Sequence, residues 1–221
     1  TSPLTFSPDQ KEMGFIREGK GETSLVVANA DGSGTARIIA TREFPEYFST
    51  DGPSWSPDGK VIACGAGTIV PSVQASVVEV PAQGGTERVI AAGKWSGLSR
   101  VLWLPDGSGL VANGWETPNA IGTQIWYVSY PEGNARKITN NLFGYGESSL
   151  GLTADGSTIV AVLQDSSRPI FAATPGENPS RARQISHGKH EGRFSLDTTL
   201  DGRMVYIDAS PEGNEIWIMD G

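Results

Sequence analysis

Short apolar stretches alternate with polar turns along the whole chain. In the best-defined region four short stretches, 53–56, 60–64, 75–80 and 87–90, are separated by turn residues, and apolar and polar residues alternate over 75–80. Alternation with a period of two, interrupted by turn residues about every ten positions, is typical of antiparallel β-strands. No segment keeps apolar residues at the 3.6-residue spacing of a helix over three turns. The pattern therefore predicts an all-β chain of many short strands.

The sequence Ser56-Pro57-Asp58-Gly59-Lys60 separates the first two of these stretches, and related sequences recur along the chain. Their aspartates are at positions 9, 58, 106, 155 and 201, at intervals of 49, 48, 49 and 46 residues. Proline presets φ for a type I turn and glycine supplies the left-handed position, so each copy predicts a hairpin. In the first copy Gln10 replaces glycine, and a left-handed Gln10 is expected to strain its turn by about 1 kcal/mol.

A period of this length, with four strands in each unit, predicts a β-propeller. The repeats cover about 1–48, 49–97, 98–146, 147–192 and 193–221 of a single domain. In the first repeat the predicted strands are 4–7, 13–16, 24–28 and 37–40. In the third they are 101–104, 110–112, 124–128 and 136–139. In the fourth they are 150–153, 158–163, 169–173 and 181–186. The fifth repeat has three, 194–200, 204–207 and 215–219, and lacks a fourth. We expect five visible blades, the last incomplete, in a portion of a longer protein.

The Ser-Pro-Asp-Gly-Lys turn and strands such as Gln124-Ile125-Trp126-Tyr127-Val128 resemble the WD40-like repeat of the TolB propeller family. The resemblance covers nearly the whole chain in five copies, and such propellers usually have six blades. It implies a non-catalytic binding domain outside the cytoplasm, in the periplasm as in TolB or attached to a bacterial serine/threonine kinase as a sensor. The alternative that it implies is the propeller cap of a prolyl oligopeptidase-type serine hydrolase whose catalytic domain is absent from this chain.

Composition narrows the classes of partner. A net charge of −8 and a pI near 4.8 argue against a nucleic-acid surface, which needs clustered Lys and Arg. No run approaches the ~18 apolar residues of a membrane span. Cys64 is the single cysteine, so the chain by itself forms no disulfide, and its apolar surroundings predict a buried thiol.

Aromatic residues and histidines gather in the loops predicted for one face of the propeller. If the strands of each blade run from the centre outward, the links between repeats and the second-to-third-strand loops share this face. We predict a binding surface for a protein or peptide there, made of Tyr47, Trp95, Trp115, Phe143, Tyr145, His187 and His190. Aromatic side chains bring large contact area with few rotors. The alternative is that each aromatic residue packs between neighbouring blades as part of the core.

Other chemistry has little support in the sequence. His187 and His190 beside Glu191 lack the further ligands that define a metal site, so solvated histidines are favoured. No Gly-x-Ser-x-Gly elbow or phosphate-binding loop is present. Asp197 and Glu147 form a weak glycosidase pair at most. We predict no catalysis, no cofactor and no metal within this chain.

The predicted fourth strands carry arginines. These are Arg37, Arg88, Arg136, Arg181 and Arg183. Charges on an outermost strand protect it from pairing with another sheet edge, and we expect them to be solvated.

Overall fold

The computed structural model describes residues 1–117, 122–139, 144–146, 149–164, 169–173, 176, 178–187, 191–210 and 213–219. In these ranges the chain forms β-strands and one 3-10 turn, Pro179–Arg181, with no α-helix. The all-β prediction is therefore confirmed. The chain divides into two compact units, Thr1–Leu163 and Gln164–Gly221, and each is described by itself. A single domain over 1–221 stays a prediction.

The first repeat forms a four-stranded antiparallel sheet in the order β1-β2-β3-β4. Its strands are β1 (Thr5–Phe6), β2 (Glu12–Glu18), β3 (Glu22–Asn29) and β4 (Arg37–Glu43). Ile16 and Leu25 lie opposite each other on β2 and β3, and both are fully buried. All four predicted strands of this repeat are present, and on β3 the successive residues Leu25, Val26 and Val27 are all fully buried, so both faces of this strand are covered.

The second repeat contains one strand more than the sequence predicts. Its strands are β5 (Glu46–Phe48), β6 (Ser54–Trp55), β7 (Val61–Thr68), β8 (Gln74–Pro81) and β9 (Arg88–Trp95). Strand β7 pairs with two short strands in succession, with β6 through Ala63 and with β5 through Ala66. The sequence places β5 in a link because three residues are too few to show an alternating pattern.

The third repeat forms another four-stranded antiparallel sheet. Its strands are β10 (Gly97–Trp103), β11 (Gly109–Trp115), β12 (Gln124–Ser129) and β13 (Ala135–Lys137). The register between β10 and β11 shifts between Leu98 and Val101, so that Ser99 and Arg100 together lie opposite Asn113. This β-bulge interrupts the alternation of β10.

In the fourth repeat the described strands are two residues long and form separate pairs, although the sequence predicts one four-stranded sheet. They are β14 (Gly144–Tyr145), β15 (Gly151–Leu152), β16 (Ile159–Val160), β17 (Leu163–Gln164), β18 (Phe171–Ala172) and β19 (Arg183–Gln184). The pairs are β14 with β17, β15 with β16, and β18 with β19.

The fifth repeat forms a three-stranded antiparallel sheet within the second unit. Its strands are β20 (Glu191–Thr198), β21 (Met204–Ser210) and β22 (Gly213–Met219), in sequence order. They correspond to the three strands predicted for this repeat. The number of blades in the complete propeller stays a prediction.

The repeated turns are held by hydrogen bonds to their aspartates. In the second copy Asp58 Oδ1 accepts the Ser56 hydroxyl at 2.7 Å and the N–H of Lys60 at 3.1 Å. These hydrogen bonds favour the carboxylate, the one from Ser56 most, and lower the pKa of Asp58 to about 2. Gly59 has a φ of 75°, and Gln10 in the first copy has a φ of 59°. Gln10 thus keeps the left-handed conformation, which is the condition under which strain is expected in this turn.

Turns of successive repeats also approach one another. A Cβ atom added to Gly59 would lie 3.6 Å from Cδ of Pro8 in the preceding turn. At Gly156 the same atom would lie 2.8 Å from Cδ of Pro105, again in the preceding turn. In both cases the proline of one copy borders the glycine of the next.

Apolar side chains from neighbouring repeats form the core of the first unit. One cluster joins the first two repeats and includes Leu25, Ile62 and Val78. A second cluster joins the second and third repeats and includes Val77, Val101 and Trp126. Cys64 is fully buried in the first cluster, and this burial raises the pKa of its thiol. The expected buried cysteine is therefore confirmed.

Two of the outer-strand arginines have partners. Arg37 donates to the carbonyl oxygen of Ala82 in the next repeat at 2.7 Å and to Glu12 at 2.9 Å. Arg88 donates to Glu79 at 2.7 Å. Both side chains nevertheless remain in contact with solvent, with 36% of Arg37 and 48% of Arg88 exposed, so the expectation of solvated charges stays a prediction.

Candidate functional site

Two of the predicted aromatic binding residues lie over glycines. A Cβ atom added to Gly67 would lie 2.7 Å from the hydroxyl oxygen of Tyr47, and one added to Gly97 only 2.0 Å from Cζ2 of Trp115. Both rings are partly buried, and burial raises the pKa of Tyr47. Each ring thus occupies space that a side chain on the facing strand would need.

A third predicted residue, Trp95, lies inside the protein. Only 3% of it is exposed, and its ring meets that of Trp126 edge-on at a centroid distance of 5.4 Å. Trp95 therefore packs in the core between the second and third repeats. This placement agrees with the alternative that aromatic residues of these loops pack between neighbouring blades.

The remaining predicted residues lie in different parts of the chain. Tyr145 is partly buried on β14, where its N–H donates to the carbonyl of Thr123 at 3.2 Å. His187 is exposed and belongs to the second unit. Phe143 and His190 lie outside the described residues. A shared binding role for the seven residues stays a prediction.

The described residues contain no group of three or more His, Cys, Asp or Glu placed to hold a metal ion. Since His190 is outside these residues, the prediction of solvated histidines stays a prediction.

Exposed apolar residues that the sequence analysis did not select lie at one end of the second repeat. They are Phe44, Ile69, Val70 and Val73, with 69%, 45%, 54% and 40% of each residue exposed. The first lies in the link before β5 and the others in the loop between β7 and β8. Pairing of β5 with β7 brings the two segments together, and the N–H of Ile69 donates to the carbonyl of Pro45 at 3.3 Å. These four residues are called the loop patch below.

Comparison with models of protein families finds no match, and comparison with curated protein sequences finds none. Solved structures do match. A TolB structure from Agrobacterium tumefaciens has a TM-score of 0.58 at 20% identity, over 98% of this chain and 64% of that one. TolB from Acinetobacter baumannii has a TM-score of 0.54 at 14% identity, over 100% of this chain and 51% of that one. A structure of a nidogen/laminin complex has a TM-score of 0.57 at 15% identity, over 98% of this chain and 74% of that one.

The chain has the fold of a TolB-like β-propeller. The propeller and the resemblance predicted from the repeats are confirmed as statements about fold, since identities this low establish nothing further. The chain spans less than two thirds of either TolB structure. Within the described residues, no helix has the length and apolar character needed to cross a bilayer.

The propeller fold makes β10 the innermost strand of its blade, and this strand carries a charged residue. Arg100 is partly buried and shares the β-bulge with Ser99, opposite Asn113. Asn113 is fully buried, and its side-chain amide donates to the carbonyl of Gly146 at 2.8 Å. The bulge thus introduces an arginine into a strand whose following residues, from Val101 onward, belong mainly to the core.

The guanidinium of Arg100 reaches the segment that leads into β6 of the neighbouring blade. A Cβ atom added to Gly52 would lie 3.5 Å from Arg100 Nη1. The preceding residue, Asp51, accepts the Ser49 hydroxyl at 3.1 Å. Burial lowers the pKa of Arg100, and the negative charge of Asp51 opposes that shift only in part.

Arg100 is not among the residues predicted from the sequence, because the predicted strand begins at Val101. A signal was available, since an arginine directly precedes Val101-Leu102-Trp103 on an innermost strand. Only the bulge, which depends on the pairing of β10 with β11, explains how that position accommodates a charge.

Proposed function

We propose that this chain is a non-catalytic binding propeller of a larger extracytoplasmic protein, and that the loop patch contacts a protein or peptide partner. The observation that carries the proposal is the exposure of four large apolar side chains on two adjacent loop segments. Single exposed apolar residues are ordinary, whereas a contiguous group of them is typical of an interaction site.

The form of the loop patch favours a macromolecular partner over a small ligand. Its side chains project from a link and from the loop between two strands, whereas small molecules bind in concave sites that surround them. A protein surface can cover such projecting groups and remove their apolar area from water. Phe44, the most exposed of the four, has the large aromatic side chain typical of interface anchors.

The comparisons with solved structures support this proposal at the level of fold. One of the matched structures is a complex of nidogen with laminin, so a propeller of similar fold occurs in a protein–protein complex. The extracytoplasmic location rests on the resemblance of the repeats to the TolB family.

A paired substitution in the loop patch tests the proposal. The variant Phe44→Ser/Val70→Ser removes two exposed side chains, and each lies in a loop rather than in the core. We expect retention of the partner from a cell-envelope extract of the source organism to fall about tenfold. The free energy of unfolding should change by less than about 0.5 kcal/mol, as is usual for surface positions.

The matched control is Ile38→Ser/Val89→Ser, which removes two side chains that are each 51% exposed on the outermost strands of the first two blades. This control should retain the partner as wild type does. Equal retention by all three proteins, or equal loss in both variants, would contradict a role for the loop patch.

A further inference from the structure

We propose that the guanidinium of Arg100 anchors a binding site for a singly charged carboxylate group, separate from the loop patch. This inference goes beyond the proposed function, since it concerns the chemistry of a ligand at the inner strands and does not depend on a protein partner.

The guanidinium of Arg100 has no acceptor within the part of the chain that the structure describes. Its Nε atom is fully buried without a partner among these residues. Arginine is seldom buried unless its charge is paired, because removing the cation from water is costly. Burial lowers the pKa of Arg100, and the nearby charge of Asp51 opposes this shift only in part. An anionic ligand supplies the missing acceptor.

The second argument comes from the β-bulge. Ser99, next to Arg100, is fully buried, and its hydroxyl has no partner among the described residues. Two adjacent donors without acceptors are unusual in a folded protein and need an explanation. β-bulges occur often beside functional sites, where they redirect a side chain. The two donors and the β-bulge lie on an innermost strand, the part of a blade that is nearest to the centre of the propeller.

The third argument concerns the charge of the ligand. A guanidinium offers two parallel N–H donors in one plane, and these match the two oxygens of a carboxylate. Arg100 Nη1 lies against Gly52, which has no side chain to block it. The neighbouring Asp51 adds a negative charge at the same place. Because Asp51 offsets much of the positive potential of Arg100, a second negative charge on the ligand gains little attraction and costs more to remove from water. The site should therefore prefer a monocarboxylate to the phosphate dianion.

Acetate, acetamide and inorganic phosphate are the probes for this site. The readout is the NMR signal of the Arg100 Nε–H group, assigned by its absence in Arg100→Lys and observable because the buried proton exchanges slowly with water. We expect acetate to shift the signal saturably with a Kd of about 10 mM. At equal ionic strength chloride and acetamide should not shift it, and phosphate should shift it less than acetate does.

The variant Asp51→Asn provides a second, independent test of the acetate site and leaves Arg100 unchanged. Removal of the repelling charge should tighten acetate binding about fivefold. The Phe44→Ser/Val70→Ser variant should bind acetate as wild type does, so failure of the proposed function and failure of this site are distinguishable.

No response to about 100 mM acetate in wild type and Asp51→Asn, or an equal response to acetamide, would overturn the proposal. A stronger response to phosphate would overturn its monocarboxylate specificity.

Discussion

The main-chain N–H of Trp103 donates a hydrogen bond to the side-chain hydroxyl of Ser54, 3.0 Å away, although the two residues are 49 positions apart. Ser54 lies on β6 and Trp103 on β10, the strands that lead into the repeated turns of consecutive repeats. The N–H of Trp55 donates in the same way to the hydroxyl of Thr5, also at 3.0 Å and 50 positions away. The first three repeats are therefore connected along their innermost strands by hydroxyl groups as well as by apolar contacts.

Removal of one such hydroxyl should destabilise the protein. In Ser54→Ala the buried N–H of Trp103 loses its acceptor, and we expect the free energy of unfolding to fall by about 1–3 kcal/mol. Chemical denaturation followed by tryptophan fluorescence measures the change. Ser54→Thr keeps the hydroxyl and serves as the control. If Ser54→Ala unfolds at the same denaturant concentration as wild type, this hydrogen bond contributes nothing to stability.

Replacement of Gln10 by glycine should stabilise the first turn. Gln10 has a φ of 59°, and side chains with a Cβ atom are disfavoured in this region. Gln10→Gly should raise the free energy of unfolding by up to about 1 kcal/mol. The larger conformational entropy of glycine in the unfolded chain reduces this gain. Gln10→Ala keeps the Cβ atom and should show no such gain. A similar gain in both variants would point to loss of the glutamine side chain rather than relief of backbone strain.

Acid should weaken the fold partly through Asp58. Its pKa of about 2 in the folded protein is lower than the ordinary value of 3.8, so the unfolded chain binds more protons between these values. The stabilisation by this group is complete above about pH 4 and is lost as the pH falls toward 2. In Asp58→Asn, the free energy of unfolding should therefore decline less steeply over this interval than in wild type.

The same aspartate can be followed directly by NMR titration of its carboxyl carbon. Ser56→Ala removes the hydrogen bond that lowers the pKa of Asp58 most, so the measured pKa should rise toward its ordinary value. Lys60→Gln removes only weaker contributions of the lysine side chain and should raise it less. An unchanged pKa in Ser56→Ala would contradict this assignment.

The parts of the fold that depend on local sequence were predictable. The turn at Asp58 and Gly59 specifies its own geometry, so its recurrence located the hairpins and the length of the repeat. The apolar run that includes Leu25 predicted a strand, although it did not show that both faces of the strand are buried. The separate strand pairs of the fourth repeat were not predictable, because their two-residue strands carry no pattern.

The candidate sites depend on pairing between distant segments, and this limits what the sequence predicts. Nothing in the local sequence shows that Trp95 meets Trp126 in the core. The loop patch forms because Glu46 pairs with Thr68, which brings together residues more than 20 positions apart. Arg100 is placed by a shift of register that exists only between two strands. In each case tertiary contacts decide which side chains are exposed.

The contact between Pro8 and Gly59, repeated at Pro105 and Gly156, bears on how such a protein lengthens during evolution. Only the second and third copies carry both halves of this contact, a proline for the turn that follows and a glycine for the turn that precedes, because the first copy lacks the glycine and the last two lack the proline. At Gly107 an added Cβ atom would meet nothing within 4 Å, so the second and third copies do not make the contact with each other. A repeat gained by in-frame duplication of the second or third copy would bring both residues to its junctions, whereas one gained from any other copy would bring only one of them.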